Sequence, residues 1–333
     1  MKQIILLVAV MLMAGASFAD DTTPTLKVIK TLPLGGDGRW DYLCADADGA
    51  RLYVPRSTHV QVVDLESGKV VGDIPNTAGV HGVALAPEQN LGFSSNGRDN
   101  SVSVFDLKTL KEIKRIKAGK NPDAIAYDPA SKHIFAFNHS GGDVTVIDPA
   151  ALDTATVTIP VGGALEYGVS DGAGHVFVNV EDKGEVVEID SKENKVLAHW
   201  PLEKGATPTG LAIDVEHHRL FSGCGNQKMY VVDYETGKVI ATIAVGNGVD
   251  GAAYDPSLGV AMSANGRDGT ISVVKETSPG KFEVVGTPKT FTGAKTITMN
   301  MKTHQALLPC NMPDGKGGQT FGIVVVGAEL VAK

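Results

Sequence analysis

Short apolar runs alternate with clusters of Gly, Asn and Asp along the chain, and one pattern of this kind recurs at a fixed interval. Two apolar residues followed by a polar pivot and a turn, as in Val62-Val63-Asp64, return about every 42 residues. The pivots, Asp64, Asp106, Asp148, Asp190, Asp233 and Lys275, are separated by 42, 42, 42, 43 and 42 residues. A period in this range that is filled with short β-runs is typical of propeller blades of four strands each.

One repeat, at residues 81–116, shows how the pattern resolves into strands. Its apolar runs lie at 81–85, 91–95, 101–105 and 111–116, with turn-forming residues between them. The turn Asn96-Gly97-Arg98-Asp99 returns as Asn265-Gly266-Arg267-Asp268, and Asn-Gly is first of all a hairpin signal. We therefore expect antiparallel four-stranded blades.

The two ends of the chain predict how the ring closes. The run at 26–34 has the character of an outermost strand, but it precedes any innermost strand. The C-terminal part has the opposite deficit, because 295–299, 306–309 and 323–326 supply three strands without a fourth. The N-terminal strand is therefore expected to complete the last blade, which removes exposed sheet edges. The predicted fold is an all-β, seven-bladed β-propeller.

The second strands of three repeats carry a family resemblance. They end in Phe93-Ser94-Ser95-Asn96, in Phe135-Ala136-Phe137-Asn138 and in Met262-Ser263-Ala264-Asn265, each followed by a VxVxD-like run. This pattern resembles the YVTN repeat of exported, seven-bladed YncE-like propellers, and it covers nearly the whole mature chain. In four blades Arg56, Val180, Cys224 and Cys310 replace the Asn. The resemblance implies the fold, and a scaffold with no single assigned chemistry.

The N-terminus predicts export. Residues 1–19 combine the charged Lys2, a short apolar stretch at 4–13 and a Ser17-Phe18-Ala19 cleavage site, which is the organisation of a signal peptide. The apolar stretch is too short to span a bilayer. We expect a periplasmic or secreted monomer without a membrane span, in which residues 20–333 form a single propeller domain.

Composition disfavours several functional classes. Lys and Arg number 30 against 38 Asp and Glu, for a net charge of −8, and aromatic residues make up 6% of the chain. Both values make a nucleic-acid partner unexpected. No CxxCH motif is present, so no haem is expected, and no GxSxG, HExxH or GxxxxGK motif marks catalytic residues. Cys44, Cys224 and Cys310 are odd in number and widely spaced, which favours small buried side chains over disulfides.

The repeat also aligns seven residues at the start of the innermost strands. They are Asp41, His81, Asp123, Glu166, Thr209, Asp250 and Lys295. The fourth position of the second strand follows them by 15 residues, except in blade 4, where it follows by 14. Both sets must therefore lie at one end of the ring. Four carboxylates and an imidazole are predicted to meet at the mouth of the central channel.

Such a ring of carboxylates needs compensation, because two like charges a few ångströms apart repel by roughly 1 kcal/mol in water and about 4 kcal/mol at an effective dielectric of 20. One divalent cation could be held by Asp41, His81, Asp123, Glu166 and Asp250. Carboxylate oxygens suit Ca²⁺ or Mg²⁺, and His81 admits Zn²⁺ or Mn²⁺. Neutralisation by Lys295, Arg39 and Arg56, or a wide hydrated mouth, are the alternatives.

Further candidates for ligand binding lie on the loops and strand ends of the same face. They are Arg39, Trp40, Arg56, His59, Asn96, Asn138, Glu181, Asn226, Asn265 and Lys295. Each has a structural interpretation as well: an Asn-Gly turn, a solvated loop side chain or, for Trp40, blade packing. A Gly-rich loop at 311–320 is long enough for a lid or a partner contact.

Three functional hypotheses follow from this acidic mouth. The favoured one is a non-enzymatic module that binds a small polar or cationic ligand, or a protein partner. The second is a metal-assisted hydrolase of a small lactone or ester, in which the cation polarises a carbonyl or activates water. The third is a structural scaffold of the cell surface or envelope.

Overall fold

The computed structural model describes residues 25–36 and 39–328; the signal peptide predicted at residues 1–19 lies outside them. The described chain consists of short strands and two 3-10 helices, Pro87–Gln89 and Glu181–Lys183. The strands are, in chain order, β1 (Leu26–Pro33), β2 (Cys44–Ala45), β3 (Arg51–Pro55), β4 (Val60–Asp64), β5 (Lys69–Ile74), β6 (Val80–Ala86), β7 (Leu91–Asn96), β8 (Ser101–Asp106), β9 (Glu112–Lys117), β10 (Pro122–Asp128), β11 (His133–Asn138), β12 (Asp143–Ile147), β13 (Val157–Pro160), β14 (Leu165–Ser170), β15 (His175–Val180), β16 (Glu185–Asp190), β17 (Lys195–Pro201), β18 (Pro208–Asp214), β19 (Arg219–Cys224), β20 (Lys228–Asp233), β21 (Lys238–Ala244), β22 (Val249–Asp255), β23 (Val260–Asn265), β24 (Thr270–Ser278), β25 (Lys281–Gly286), β26 (Thr298–Asn300), β27 (Gln305–Pro313) and β28 (Gln319–Ala328).

These strands form seven antiparallel sheets of four strands, so the predicted seven-bladed propeller is confirmed. Blades 1 to 6 are β2–β5, β6–β9, β10–β13, β14–β17, β18–β21 and β22–β25. Blade 7 has the order β26-β27-β28-β1. The first strands of neighbouring blades contact one another around the ring, which makes them the innermost strands.

The N-terminal strand closes the ring, as the sequence predicts. β1 pairs with β28 from Leu26 opposite Ala328 to Pro33 opposite Gly322. Leu32 is buried in a cluster that includes Phe321. Since both ends of the described chain meet in blade 7, that sheet is complete and every blade packs between two neighbours.

Arg56 stabilises this ring closure through contacts in the interior of the molecule. Its guanidinium lies 3.5 Å above the ring of Phe321 and donates hydrogen bonds to the carbonyl oxygens of Gly35, at 3.1 Å, and Gly36, at 3.0 Å. With 1% of its surface exposed, Arg56 is not at the mouth. Its position at the end of β3, next to the chain leaving β1, makes it a structural residue and not the ligand-binding residue or neutralising cation that the sequence suggests.

The hydrophobic core lies between the blades. The second and third strands of each sheet are buried on both faces, as in β7 and β8, whereas the outermost strand β9 is largely exposed. The blades pack closely, so small residues are needed at contacts; a Cβ on Gly168 of blade 4 would lie 2.3 Å from Phe137 Cζ of blade 3. This face-to-face packing explains the near-continuous apolar runs of the middle strands.

The Asn residues that carry the repeat pattern have a structural role. Asn96 Nδ2 donates to the hydroxyls of Ser101, at 3.2 Å, and Ser103, at 2.9 Å. Asn138 and Asn265 make the equivalent hydrogen bonds to Asp143 and Thr145, and to Thr270 and Ser272. All three Asn residues are fully buried. Their amides tie the second strand to the third, so the structure places these three predicted ligand-binding residues inside the blades.

Within the described residues, no helix has the length and apolar character needed to cross a membrane.

Candidate functional site

A β-bulge at the start of the inner strand aims side chains at the channel mouth in five blades. The pairing between first and second strands skips residues between Val80 and Gly82, Pro122 and Ala124, Leu165 and Gly168, Pro208 and Leu211, and Val249 and Gly251. His81, Asp123 and Asp250 are each the single residue skipped. Blades 4 and 5 skip two residues, beginning with Glu166 and Thr209. Bulges re-aim side chains out of the pleat, and here they turn the aligned ring residues together.

His81 is the central link of the mouth. Its Nδ1 atom lies 2.7 Å from Asp41 Oδ2 and 2.7 Å from Asp123 Oδ1. Burial lowers the pKa of His81, but the hydrogen bonds and charges of Asp123 and Asp41 outweigh it and raise the pKa to about 10. The imidazolium therefore joins blades 1, 2 and 3.

Glu166 has two partners that the sequence reasoning missed. Nδ1 of His139 lies 3.1 Å from its Oε1 atom, and the hydroxyl of Tyr42 donates a 2.9 Å hydrogen bond to its Oε2 atom. The Glu166 contact raises the pKa of His139 to about 9, while burial raises the pKa of Glu166 to about 7. The signals for both partners were positional: Tyr42 directly follows Asp41, and His139 directly follows a strand-ending Asn.

Lys295 occupies the remaining side of the mouth. Its Nζ atom contacts the carboxylate of Asp250 and lies 3.6 Å from Asp41 Oδ1. Burial raises the pKa of Asp250 to about 6, even though the charge of Lys295 lowers it. With His81 and His139, Lys295 provides cations that offset the four carboxylates. Of the alternatives that the sequence left open, internal neutralisation is thus present, with Lys295 but without Arg56.

Two groups of ligand atoms in the mouth could each hold a metal ion. One is Asp41, His81 and Asp123, the other is Asp123, His139 and Glu166, and the ligand atoms within each lie no more than 4.8 Å apart. Asp123 belongs to both groups. The structure therefore brings four of the five predicted metal ligands together and adds His139. The fifth, Asp250, is in neither group, because it faces Lys295.

Tyr42 forms the floor of the mouth. Its ring is buried and lies 4.8 Å from the ring of Tyr167, measured between centroids. On the far side, a cavity of about 1180 Å³ opens toward the opposite face, with Cys44, Ile125 and Tyr127 among its lining residues. The mouth is therefore closed at its base by Tyr42, which separates it from the lower cavity.

The other predicted ligand-binding residues fall into two sets. Arg39 and Trp40 line a pocket of about 470 Å³ beside the mouth, together with Lys295. His59, 3.7 Å from Asp73, and Asn226, which donates to the Tyr230 hydroxyl at 3.0 Å, lie on loops and are not among the lining residues of that pocket. Glu181 begins a 3-10 helix and acts on His139 only through its charge.

The family model described as "Cytochrome D1 heme domain" matches residues 50–262, nearly two thirds of the chain. The chain belongs to this family. Membership of the cytochrome D1 haem domain family agrees with the propeller fold, and the match includes His81, Asp123, His139 and Glu166. The finer resemblance to YVTN-repeat, YncE-like propellers stays a prediction from the repeat.

One curated relative is a small ribosomal subunit protein, eS4, of Haloarcula marismortui. It is 26% identical over 185 residues, which cover 50% of this chain and 76% of that protein. The net charge of −8 is opposite in sign to what binding of a phosphate backbone favours. No ribosomal role follows for this chain from a likeness at this level.

The family description names a haem, against the expectation of no haem. That expectation rested on the absence of a covalent attachment motif, and a non-covalent haem needs no such motif. The donor atoms are therefore the relevant test, because haem iron takes an axial His, Cys, Met or Tyr ligand. Nδ1 of both mouth histidines faces carboxylates, which leaves Nε2 as the ring atom that could bind iron; at His81, a Cβ on Gly97 would lie 2.9 Å from that atom. The side chains that converge at the mouth are charged, so they offer little apolar surface to a macrocycle.

The lower cavity has other candidate donors among its described lining residues, namely the thiol of Cys44 and the hydroxyls of Tyr53, Tyr127 and Tyr167. No histidine lines it. Burial raises the pKa of the Cys44 thiol to about 12 and that of the Tyr167 hydroxyl to about 12, and it also raises the pKa of the Tyr53 and Tyr127 hydroxyls, so all four groups would have to lose a proton to bind iron as anions. The described side chains at either end of the channel thus fit an axially ligated haem poorly.

Proposed function

We propose that the protein is a non-enzymatic binding module whose channel mouth holds a divalent cation. The observation that carries this proposal is the sharing of Asp123 between two groups of ligand atoms, each made of one imidazole and two carboxylates. Side chains from four blades converge there; Asp123 and Glu166 are buried, and the other three residues are half-buried. A partly desolvated set of this kind is a common arrangement of metal ligands.

The donor atoms favour a particular class of ion. Ca²⁺ and Mg²⁺ prefer all-oxygen sites, whereas an imidazole in each group suits Zn²⁺ or Mn²⁺. Asp123 could bridge two ions, but one ion in either group suffices for the proposal. The protons of His81 and His139 occupy the place of the cation in the metal-free protein, so binding must displace at least one of them.

The compartment and assembly are part of the same proposal. The predicted signal peptide and the YVTN resemblance support a periplasmic or secreted monomer. Cys224 and Cys310 are free and fully buried, and Cys44 is free and half-buried. Free thiols kept out of solvent are compatible with an oxidising compartment.

Metal analysis and calorimetry of purified protein test the proposal. We expect zinc or manganese in the native protein, and loss of a stabilising contribution on chelation. Asp123→Asn removes a ligand from both groups, so we expect an affinity for Zn²⁺ about a hundredfold or more below wild type. Asp250→Asn is the matched control, since Asp250 is in the same mouth but in neither group; its affinity is expected to stay near wild type.

The histidines give an independent comparison. His139→Gln is expected to weaken Zn²⁺ binding by at least about tenfold, and His59→Gln, on the equivalent loop of blade 1, should not change it. Metal-free protein with an unaltered melting temperature after chelation would refute the proposal, as would equal effects of Asp123→Asn and Asp250→Asn. Turnover of a lactone panel by the zinc-loaded protein would favour the hydrolase instead.

A further inference from the structure

A second pocket lies beside the mouth and shares Asp41 and His81 with the proposed cation site. Its volume is about 470 Å³, within the range of about 300–1,000 Å³ that small-molecule sites have. The side chains that matter for its chemistry are Arg39, Trp40, Ser57, Arg98 and Lys295, with His81 on the wall that it shares with the mouth. It lies between the turns of blades 1 and 2 on the face that carries the mouth.

Close backbone packing builds the pocket. Ser57 has a φ of 64°, a left-handed conformation that is rare for a residue other than Gly, Asn or Asp. In this conformation its carbonyl oxygen accepts a hydrogen bond from Gly79 N at 2.5 Å, and its hydroxyl accepts one from Arg39 N at 3.1 Å. Backbone strain of this kind concentrates at functional sites. Ser57 therefore joins three of the segments that line the pocket.

Gly79 allows the part of the pocket wall that carries Arg98 to pack closely. Its φ is +67°, and a Cβ at this position would lie 2.7 Å from Arg98 N. Only glycine permits this approach of the blade 2 turn to the start of β6. The guanidinium of Arg98 is thereby carried to the same pocket as Arg39, although 59 residues separate the two along the chain.

The side chains that line the pocket are mainly positively charged, whereas the chain as a whole has a net negative charge. Arg39, Arg98 and Lys295 line it, and Asp41 is the one carboxylate among its described lining residues. Lys295 is paired with Asp250 and Asp41. In contrast, the guanidinium groups of Arg39 and Arg98 have no hydrogen bond or ion pair within the described part of the chain. Two such cations in an acidic protein are free to pair with an incoming anion.

Trp40 gives the pocket an apolar side. Its Nε1 atom already donates to the carbonyl oxygen of Gly293 at 3.3 Å, and its ring packs on Phe321, with centroids 5.4 Å apart. The indole is thus held in one orientation, and it offers carbon surface to a ligand and no free donor.

We infer that this pocket binds a small organic anion, whose acidic group pairs with Arg39 and Arg98 and whose apolar body lies against Trp40. A guanidinium fork recognises carboxylate and phosphate oxygens by the same bidentate geometry, so the chemical class is an organic carboxylate or phosphate. The inference does not depend on a cation in the mouth, because neither arginine belongs to the groups of metal ligands. The proposed ligand is an anion, whereas the sequence suggested a polar or cationic ligand for Arg39 and Trp40.

Titration calorimetry of the full-length, chelator-treated protein tests the inference. The probes are benzoate, phenyl phosphate and inorganic phosphate, and benzamide serves as the uncharged analogue of benzoate. We expect binding of at least one aromatic anion and none of benzamide. Arg39→Ala and Arg98→Ala should each weaken binding by about tenfold or more, the effect of losing a charge-assisted hydrogen bond. The ratio of benzoate to phenyl phosphate affinity tells which acidic group is preferred.

The repeat supplies a matched control for Arg98. Arg267 lies 169 residues later in the same Asn-Gly-Arg-Asp turn, and Gly248 packs against it as Gly79 packs against Arg98. Arg267 does not line this pocket, so Arg267→Ala should leave anion affinity unchanged. The inference is overturned if no aromatic anion binds at millimolar concentration, if Arg267→Ala weakens binding as much as Arg98→Ala, or if neither pocket arginine matters. Preference for inorganic phosphate over both aromatic anions would contradict the role given to Trp40.

Discussion

The hydroxyl of Tyr42, in blade 1, donates a 2.9 Å hydrogen bond to the carboxylate of Glu166, in blade 4. This contact reaches from the first blade to the fourth over 124 residues of sequence. It fixes the tyrosine ring as the floor of the mouth and orients one carboxylate of the proposed cation site. Tyr42 is therefore expected to affect both stability and cation binding.

Tyr42→Phe tests this double role. The substitution removes the donor and leaves Glu166 Oε2 without that partner in a buried place, which should reduce the free energy of unfolding by about 1–3 kcal/mol. It should also weaken Zn²⁺ binding, because Glu166 loses its orientation. Urea denaturation and calorimetry measure the two effects.

Tyr254→Phe is the control for that substitution. Tyr254 donates a 2.6 Å hydrogen bond to Asp214 Oδ2, which belongs to neither group of metal ligands. A similar loss of stability without a change in Zn²⁺ affinity is expected. If Tyr42→Phe also left the affinity unchanged, the floor would have no part in cation binding.

Ring closure should depend on single side chains of β1. Leu32 is 8% exposed within the cluster that joins blades 7 and 1, whereas Ile29 in the same strand is 38% exposed. Leu32→Ala should lower the free energy of unfolding by about 2–4 kcal/mol, and Ile29→Ala should change it by no more than about 0.5 kcal/mol. Chemical denaturation gives both values. Equal effects would mean that β1 adds little to the stability of the ring.

Tight contact between the inner strands of blades 5 and 6 predicts a strong effect of one methyl group. A Cβ on Gly210 would lie 2.4 Å from Ala252 N, which is backbone and cannot rotate away. Gly210→Ala should therefore cost about 1–3 kcal/mol of stability. Gly286→Ala, where the nearest atoms of Val273 are 3.8 Å from the added Cβ, is the control and should be close to neutral. A neutral Gly210→Ala would contradict the inner-strand packing.

Acid sensitivity should arise in part from Asp128. This fully buried carboxylate accepts hydrogen bonds from the Ser170 hydroxyl at 2.5 Å and from Ser131 N at 2.8 Å. Burial raises the pKa of Asp128, but the hydrogen bonds outweigh it and the pKa is lowered. A group with a lowered pKa in the folded state stabilises the protein above its unfolded pKa of about 3.9, and the contribution is lost as the pH falls through the folded value.

Two variants separate this effect from general acid unfolding. Asp128→Asn should lower stability at neutral pH and flatten the loss of stability below about pH 4. Ser170→Ala removes one hydrogen bond to the carboxylate, so it should move the acid transition to higher pH. Melting temperatures measured as a function of pH check both. Acid transitions that superimpose on that of the wild type would exclude Asp128 as a contributor.

The sequence predicts the architecture because architecture depends on spacing. The 42-residue interval of the Asp pivots and the lone strand at 26–34 are enough to derive seven blades and their closure. The alignment of Asp41, His81 and Asp123 is enough to place them at one end of the ring. Both inferences need only the order of the strands and their length, and both are properties that a repeat preserves.

The repeat does not determine the direction of the side chains at the strand ends. Asn96 and Arg56 occupy equivalent positions, yet one ties two strands together and the other points toward Gly35 and Phe321. The outcome depends on bulges and on the partner across the blade, since a shift of one residue moves a side chain to the other face. The roles of Tyr42 and His139 were not predicted for the same reason, because they follow from contacts with Glu166 in a different blade; the sequence favours a solvated loop side chain for His139.

The pairing of β1 with β28 has a consequence for the order of assembly. The first strand of the described chain to be synthesised waits for the last one, nearly 300 residues later, before it gains a neighbour. Until then the half-built circle presents two open flanks that other chains could join. Each newly made molecule thus has to stay apart from its copies until its final strand is complete.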